Sequence, residues 1–214
     1  MREQGYEPVA APILRVERLR SVTPPGPHDA IVLTSANAAR LAIPPADPSV
    51  PVHAIGERTA GAAREAGFAR VTVGADGMPA RDGAALGRAL VASLAGRRVL
   101  YPCALQRRPG LERELSRTAT VLAWPLYATV TEPDAAARIA VALGGRAPAA
   151  TLVHSPTAAA ALAGAELGGS AMLCLSAAIA AALHPGVGGE RRVAPSPDER
   201  SLLSLLTVAG EPPE

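Results

Sequence analysis

Short apolar runs alternate along the chain with segments in which alanine and leucine recur at helical spacing. Each apolar run ends in small or polar residues, and the runs cover residues 31–35, 52–56, 71–74, 99–103, 120–126, 151–155, 171–176 and 192–194. Helices are predicted at residues 57–66, 83–94, 111–117, 133–143, 156–165, 177–183 and 198–208. Apolar runs of this length are typical of strands buried on both faces of a parallel sheet. The strand–helix alternation therefore predicts an α/β fold with parallel sheets.

The chain also repeats itself. Residues 31–39 (IVLTSANAA) resemble residues 151–159 (TLVHSPTAA), and a helix and a further strand follow in both copies. The next strand ends, at Gly56 and Ser176, are separated by the same number of residues as Ser35 and Ser155. Equal spacing at two strand ends indicates two similar domains.

The repeat is incomplete at the start of the sequence. Residues 120–127 resemble residues 7–14, and a strand at 99–103 and a helix at 111–117 precede the later copy. Only residues 1–6 precede the earlier copy, so we expect the first strand of domain one, and most of its first helix, to be missing from this sequence. Residues 1–5 could be the end of that helix.

Composition excludes several classes of function. Hydrophobic residues make up 49% of the chain, enough for a buried core, but aromatic residues make up only 2%. The aromatic platform that stacks single-stranded nucleic acid is therefore absent, and we expect no nucleic-acid partner. All 21 basic residues are arginine, which excludes Schiff-base lysines, pyridoxal phosphate bound to lysine and the P-loop lysine. A net charge of +2 means that any anion site must be local.

Cysteine usage and targeting signals indicate a cytoplasmic protein without a metal. Cys103 and Cys174 have no partners at zinc-binding spacing, so we expect two free, buried thiols in a reducing compartment. The first residues do not form a signal peptide. The alanine-rich segment at 157–167 is short and contains Gly164 and Glu166, which favours a buried helix over a membrane span.

Candidate binding residues stand where predicted strands lead into helices. Helix N-termini at the carboxyl ends of parallel strands offer free N–H groups and a dipole that favours anions. Ordinary helix capping accounts equally well for the hydroxyl residues, and a turn residue is the simpler interpretation of the histidine. The predicted substrate-binding residues are Thr34, Ser35, Gly56, Thr59, His154, Ser155 and Ser176.

Several short motifs in this order resemble the uroporphyrinogen-III synthase family. They are GYEPVAAPIL at residues 5–14, LTSANA at 33–38, AIGERTA at 54–60, LYATV at 126–130, HSPTA at 154–158 and SPDERSLL at 196–203. Each motif is short, but together they cover nearly the whole chain in the family's order.

The resemblance implies two flavodoxin-like domains joined by a two-stranded hinge. Domain one would combine residues 1–14 with residues 131–214, and domain two would be inserted between them at residues 19–123. The hinge segments would be residues 12–18 and 124–130.

The resemblance also implies the reaction. Enzymes of this family convert hydroxymethylbilane to uroporphyrinogen III, with loss of water and inversion of ring D, and they use no cofactor. The expectation is therefore a cytoplasmic monomer whose partner is a small molecule. Tyr127 matches the family's tyrosine and is expected to donate a hydrogen bond to the leaving hydroxyl of the substrate. The alternative is a hinge tyrosine whose hydroxyl is satisfied within the protein.

Other interpretations remain at this point. A truncated or non-catalytic paralogue would keep the fold and could bind a tetrapyrrole, and the missing first strand favours it. A flavodoxin-like signalling receiver needs a lysine after its last strand, and the chain has none. A two-lobed binding protein would share the architecture but usually carries an export signal.

Overall fold

The computed structural model describes residues 5–20 and 24–206. Its strands are β1 (Leu14–Arg18), β2 (Ala30–Leu33), β3 (Pro51–Ala54), β4 (Arg70–Val73), β5 (Arg98–Ala104), β6 (Thr120–Thr131), β7 (Ala150–Val153), β8 (Ala171–Cys174) and β9 (Arg191–Val193). Its helices are α1 (Ala36–Leu41), α2 (Glu57–Glu65), α3 (Gly83–Leu90), α4 (Gly110–Leu115), α5 (Ala135–Leu143), α6 (Pro156–Ala161), α7 (Ala177–Ala182) and α8 (Glu199–Ser204). All eight predicted strands and seven predicted helices are confirmed.

The chain divides into two compact units. The inserted unit runs from Val16 to Thr129, and the flanking unit comprises the described residues up to Arg15 and those from Val130 onward. Both β1 and β6 continue from one unit into the other. The N–H of Leu19 donates to the carbonyl of Leu126, and the N–H of Glu132 donates to the carbonyl of Ile13, each at 2.9 Å, so β1 runs antiparallel to β6.

The six-stranded sheet has the order β1-β6-β5-β2-β3-β4, and β2 to β6 are parallel. Numbered along the chain, these five strands have the order 3-2-1-4-5 rather than the expected flavodoxin-like 2-1-3-4-5. Counting from β5 instead restores 2-1-3-4-5, so the sheet is a circular permutation of the flavodoxin-like arrangement. Among the five parallel strands, the first in the chain, β2, is the central one, and β5 and β6 come last in the chain.

Helices cover both faces of this sheet. Successive side chains along a strand point to opposite faces, so each strand contributes to two cores. Ile31 and Leu33 point into a core with residues of α1 and α2, whereas Ala30 and Val32 point into a core with residues of α3 and α4. The connections therefore leave β2 and β5 toward opposite faces. Such a switch opens a crevice outside the carboxyl ends of the two strands, where ligands bind in open α/β sheets.

The flanking unit contains the parallel sheet β7-β8-β9. Met172 and Cys174 of β8 pack with residues of α5, α6 and α7, while Leu173 packs with Leu202 and Leu206 from the C-terminal segment. Among the described residues β7 forms one edge of this sheet. The expected helix remnant at residues 1–5 lies almost wholly outside the described residues.

Three helices end four residues earlier than predicted. Helix α3 ends at Leu90 rather than residue 94, α6 ends at Ala161 rather than residue 165, and α8 ends at Ser204. After α6 the N–H groups of Leu162 and Ala163 bond to carbonyls three residues back, so the turn tightens before Gly164, whose φ is +78°. The last two residues predicted for α8, 207 and 208, lie outside the described residues.

Both cysteines are free and buried, as predicted. Burial raises the pKa of the Cys103 thiol to about 11 and also raises that of Cys174. In residues 5–20 and 24–206, no helix is both long enough and apolar enough to cross a membrane.

Candidate functional site

The candidate site of the inserted unit lies at the carboxyl ends of β2 and β5, where the strand order reverses. Their ladder pairs Ala30 with Val99 and Ile31 with Leu100. Beyond it a side-chain hydrogen bond of 3.0 Å joins the Thr34 hydroxyl to the Tyr101 hydroxyl. Tyr101 is buried, and this burial raises the pKa of its hydroxyl, so it stays protonated at neutral pH. Thr34 was predicted from sequence as a binding residue, whereas Tyr101 was not.

Ser35 and Tyr127, both predicted site residues, are in direct contact. Ser35 is the N-cap of α1, and its Oγ accepts the backbone N–H of Asn37 at 3.2 Å. The same Oγ accepts the Tyr127 hydroxyl at 2.9 Å. Tyr127 lies on β6 and is only 6% exposed. The structure thus brings the predicted catalytic tyrosine to a predicted binding residue, and the tyrosine hydroxyl is satisfied within the protein.

Arg107 lies in the loop that follows β5 and forms several hydrogen bonds within it. Its guanidinium donates to both carboxylate oxygens of Glu112, at 2.6 and 3.2 Å, and to the carbonyls of Ala104 and Leu105, both at 3.3 Å. The central carbon of the Arg107 guanidinium, Cζ, lies 6.0 Å from the centre of the Tyr101 ring. The hydrogen bond that Arg107 donates to Glu112 raises the pKa of Arg107. Because these donors are engaged, Arg107 stabilises the loop rather than offering a free cation.

Gly56 and Thr59 stand at the start of α2. Gly56 is the N-cap, and its carbonyl accepts the N–H groups of Thr59 and Ala60, at 3.1 and 3.0 Å. Thr59 is 6% exposed. The backbone N–H of Thr59 is therefore engaged at the start of the helix, and its side chain is buried.

The other three predicted residues lie in the flanking unit. His154 follows β7 and its Nε2 lies 3.0 Å from Oε2 of Glu199, at the start of α8. Ser155 caps α6 by accepting the N–H of Ala158 at 3.0 Å. Ser176 is the N-cap residue of α7 without a side-chain capping bond, and its buried Oγ has no hydrogen-bond partner among the described residues. Sequence reasoning missed Glu199, because the contact depends on how α8 returns to the sheet.

These arrangements supply neutral hydroxyl and backbone donors rather than a nucleophile. Hydroxyls of Thr34, Ser35, Ser155 and Ser176 stand at strand ends, each followed by a helix or a turn. In the part of the chain that the structure describes, no group of three His, Cys, Asp or Glu side chains could hold a metal ion. Such donors suit recognition of carboxylates and of an oxygen that develops negative charge.

Comparison with known proteins gives a consistent result. The sequence model of the family described as "Uroporphyrinogen-III synthase HemD" matches residues 1–204. No curated protein sequence matches the chain. Uroporphyrinogen-III synthetase from Helicobacter pylori is 17% identical, with a TM-score of 0.67 over 92% of this chain and 90% of that one. At this identity the likeness shows the fold alone.

A second solved structure, uroporphyrinogen III synthase from Thermus thermophilus, is 20% identical and covers 98% of this chain and 92% of that one. Its TM-score is 0.40.

Proposed function

We propose, since the chain belongs to the uroporphyrinogen-III synthase family, that it is a cyclising lyase that converts hydroxymethylbilane to uroporphyrinogen III. The observation that carries this function is the family match over residues 1–204. Water is lost and ring D is inverted in this reaction. The enzyme acts as a cytoplasmic monomer, without a cofactor, on a small-molecule substrate.

The proposed architecture has two α/β domains and a two-stranded hinge. Domain one combines residues 1–14 and 131–214, domain two spans residues 19–123, and the hinge segments are residues 12–18 and 124–130. Two features support this division. Each compact unit has its own buried core, and β1 and β6 are the strands that continue across the unit boundary.

The substrate carries eight carboxylates, so its binding needs many donors and little chemistry. We propose that Thr34, Ser35, Gly56 and Thr59 contribute contacts from one unit. His154, Ser155 and Ser176 contribute them from the other. Their positions after β2, β3, β7 and β8 support this proposal. Of the adjacent cations, Arg108 is the better partner for a carboxylate, because it is exposed and makes no hydrogen bond or ion pair with the described residues, whereas Arg107 is engaged.

The reacting end of the substrate needs help only at its leaving oxygen. The pyrrole nitrogen supplies the electron pair that expels the hydroxyl group, and its N–H proton balances the departing hydroxide as water. The enzyme mainly holds the chain curled so that ring D attacks through its substituted carbon. We place the Tyr127–Ser35 pair at the leaving hydroxyl, and the 2.9 Å bond between them supports a joint role.

An isomer assay tests the proposed function. Purified protein is mixed with hydroxymethylbilane generated in situ, the products are oxidised, and uroporphyrins I and III are separated by chromatography. The control without protein closes spontaneously to isomer I. We expect predominantly isomer III with the protein. Isomer I alone, from protein whose circular dichroism shows it folded, would support a non-catalytic paralogue, and binding of uroporphyrinogen III would then be measured.

A further inference from the structure

The hydrogen bonds of Ser35 determine which way its hydroxyl proton points. A serine hydroxyl can accept two hydrogen bonds and donate one. Both acceptor positions of Ser35 Oγ are filled, by the N–H of Asn37 at 3.2 Å and by the hydroxyl of Tyr127 at 2.9 Å. No acceptor among the described residues takes the remaining hydroxyl hydrogen. Ser35 is therefore left as an oriented donor.

The Tyr127 hydroxyl is in the opposite situation. The Tyr127 hydroxyl donates its single hydrogen to Ser35. Tyr127 is 6% exposed, whereas Ser35, which follows β2, is half-buried. Tyr127 cannot donate to a substrate while it donates to Ser35. Its bond also polarises the serine hydroxyl, because chained hydrogen bonds strengthen one another.

We propose that Ser35 is the residue that donates a hydrogen bond to the leaving hydroxyl of the substrate, and that Tyr127 is a positioning residue that acts through Ser35. This inference rests on the proposed function. No proton is transferred to or from Ser35 in the step. The carbon–oxygen bond breaks with its electron pair going to oxygen, the pyrrole nitrogen supplies the compensating pair, and the serine hydroxyl stabilises the charge that develops on the oxygen.

A double-mutant cycle tests the proposal. Initial rates of isomer III formation are measured for wild type, Ser35→Ala, Tyr127→Phe and the double variant. We expect Ser35→Ala to lower kcat about 100-fold, the usual loss for one donor to a developing oxyanion. Tyr127→Phe should lower kcat about tenfold, since the serine remains but loses its alignment. In the Ser35→Ala background Tyr127→Phe should change kcat less than about twofold, because a residue that acts through Ser35 has nothing left to act on.

Two further variants separate chemistry from folding. Ser35→Thr keeps the hydroxyl and the N-cap, so kcat should stay within about threefold of wild type. Asp82→Ala removes a comparable cap, the 2.8 Å bond to the N–H of Ala85 at α3, and tests whether losing a cap in this unit alone lowers kcat. We expect Asp82→Ala to lower the melting temperature without changing kcat.

The possible outcomes are distinct. If the fold losses in kcat of Tyr127→Phe and Ser35→Ala multiply in the double variant, Tyr127 contacts the substrate directly. This result would overturn the inference and leave the proposed function standing. A Ser35→Ala variant with wild-type kcat would overturn it as well. Isomer I alone from folded wild type would instead remove the proposed function, and the inference with it.

Discussion

At the scale of single residues, the hydrogen bonds that polar side chains at the strand ends form within the protein determine which donors remain for a substrate. Arg107 has the charge that a polycarboxylate needs, but Glu112 and two carbonyls occupy its donors. Tyr127 has the hydroxyl that an acid catalyst needs, but Ser35 receives its hydrogen. Residue type alone therefore identifies a group of candidates, and the hydrogen bonds select among them.

A single residue, His53, makes the free energy of unfolding depend on pH. It lies half-buried on β3, where Nδ1–H donates to the carbonyl of Gly74 at 3.2 Å. Burial, ahead of all other causes, lowers the pKa of His53 from 6.5. The folded chain then binds fewer protons than the unfolded chain near this pH, so the free energy of unfolding falls as pH decreases through 6.5 toward the folded pKa.

We expect His53→Gln to flatten this acid dependence, because glutamine keeps an N–H donor and does not titrate. Urea unfolding at pH values from 8 to 5 measures it. Wild type and variant should differ in slope below pH 7 and not in their pH dependence near pH 8. Parallel curves across the whole range would contradict the assignment.

At the scale of elements, glycines determine how closely α3 and α4 approach. A Cβ on Gly87 would lie 2.9 Å from Cβ of Glu114, closer than real Cβ contacts, and 3.1 Å from the carbonyl oxygen of Leu111. A Cβ on Gly110 would lie 3.0 Å from Cβ of Ala84. Both glycines therefore allow the close approach of the two helices, and neither has a positive φ.

Gly87→Ala should lower the free energy of unfolding by about 1–3 kcal/mol, the usual cost of overpacking. Gly61, in the middle of α2, is the matched control because a Cβ there would meet nothing within 4 Å. Gly61→Ala should raise the free energy of unfolding by about 0.5–1 kcal/mol through helix propensity. Urea denaturation measures both, and equal effects of the two substitutions would contradict the packing argument.

At the scale of the whole molecule, each unit has its own core and its own buried probe of unfolding. Trp124, the single tryptophan, and Cys103 are buried in the inserted unit, while Cys174 is buried in the flanking unit. Burial holds both thiols in the unreactive protonated form. Reactivity of each thiol therefore reports unfolding of its own unit.

We expect the two units to unfold in separate transitions, because neither core depends on residues of the other. In a urea series, Trp124 fluorescence and alkylation of Cys103 should follow one curve, and alkylation of Cys174 should follow another. Peptide mass spectrometry distinguishes the two thiols. A single shared midpoint for all three probes would show that the molecule unfolds as one cooperative unit.

The elements and their order follow from local pattern, so they could be predicted. The eight strands are apolar runs long enough to be recognised, and the repeat between residues 31–39 and 151–159 is visible because equivalent strand ends need similar turn residues. Helix ends were less predictable, because α6 stops where local hydrogen bonds tighten rather than where the apolar pattern ends.

The sequence by itself determined the strand–helix alternation, the free buried cysteines and the positions of the hydroxyl residues that follow the strands. These features depend on residues close together in the sequence. Only the tertiary structure decided the circularly permuted strand order and the contacts of Thr34 with Tyr101, Ser35 with Tyr127 and His154 with Glu199. These pairs join residues remote in sequence, and local pattern carries no information about which strands become neighbours. The direction of each hydrogen bond, and with it the chemistry available to a hydroxyl, is set only when the strands meet.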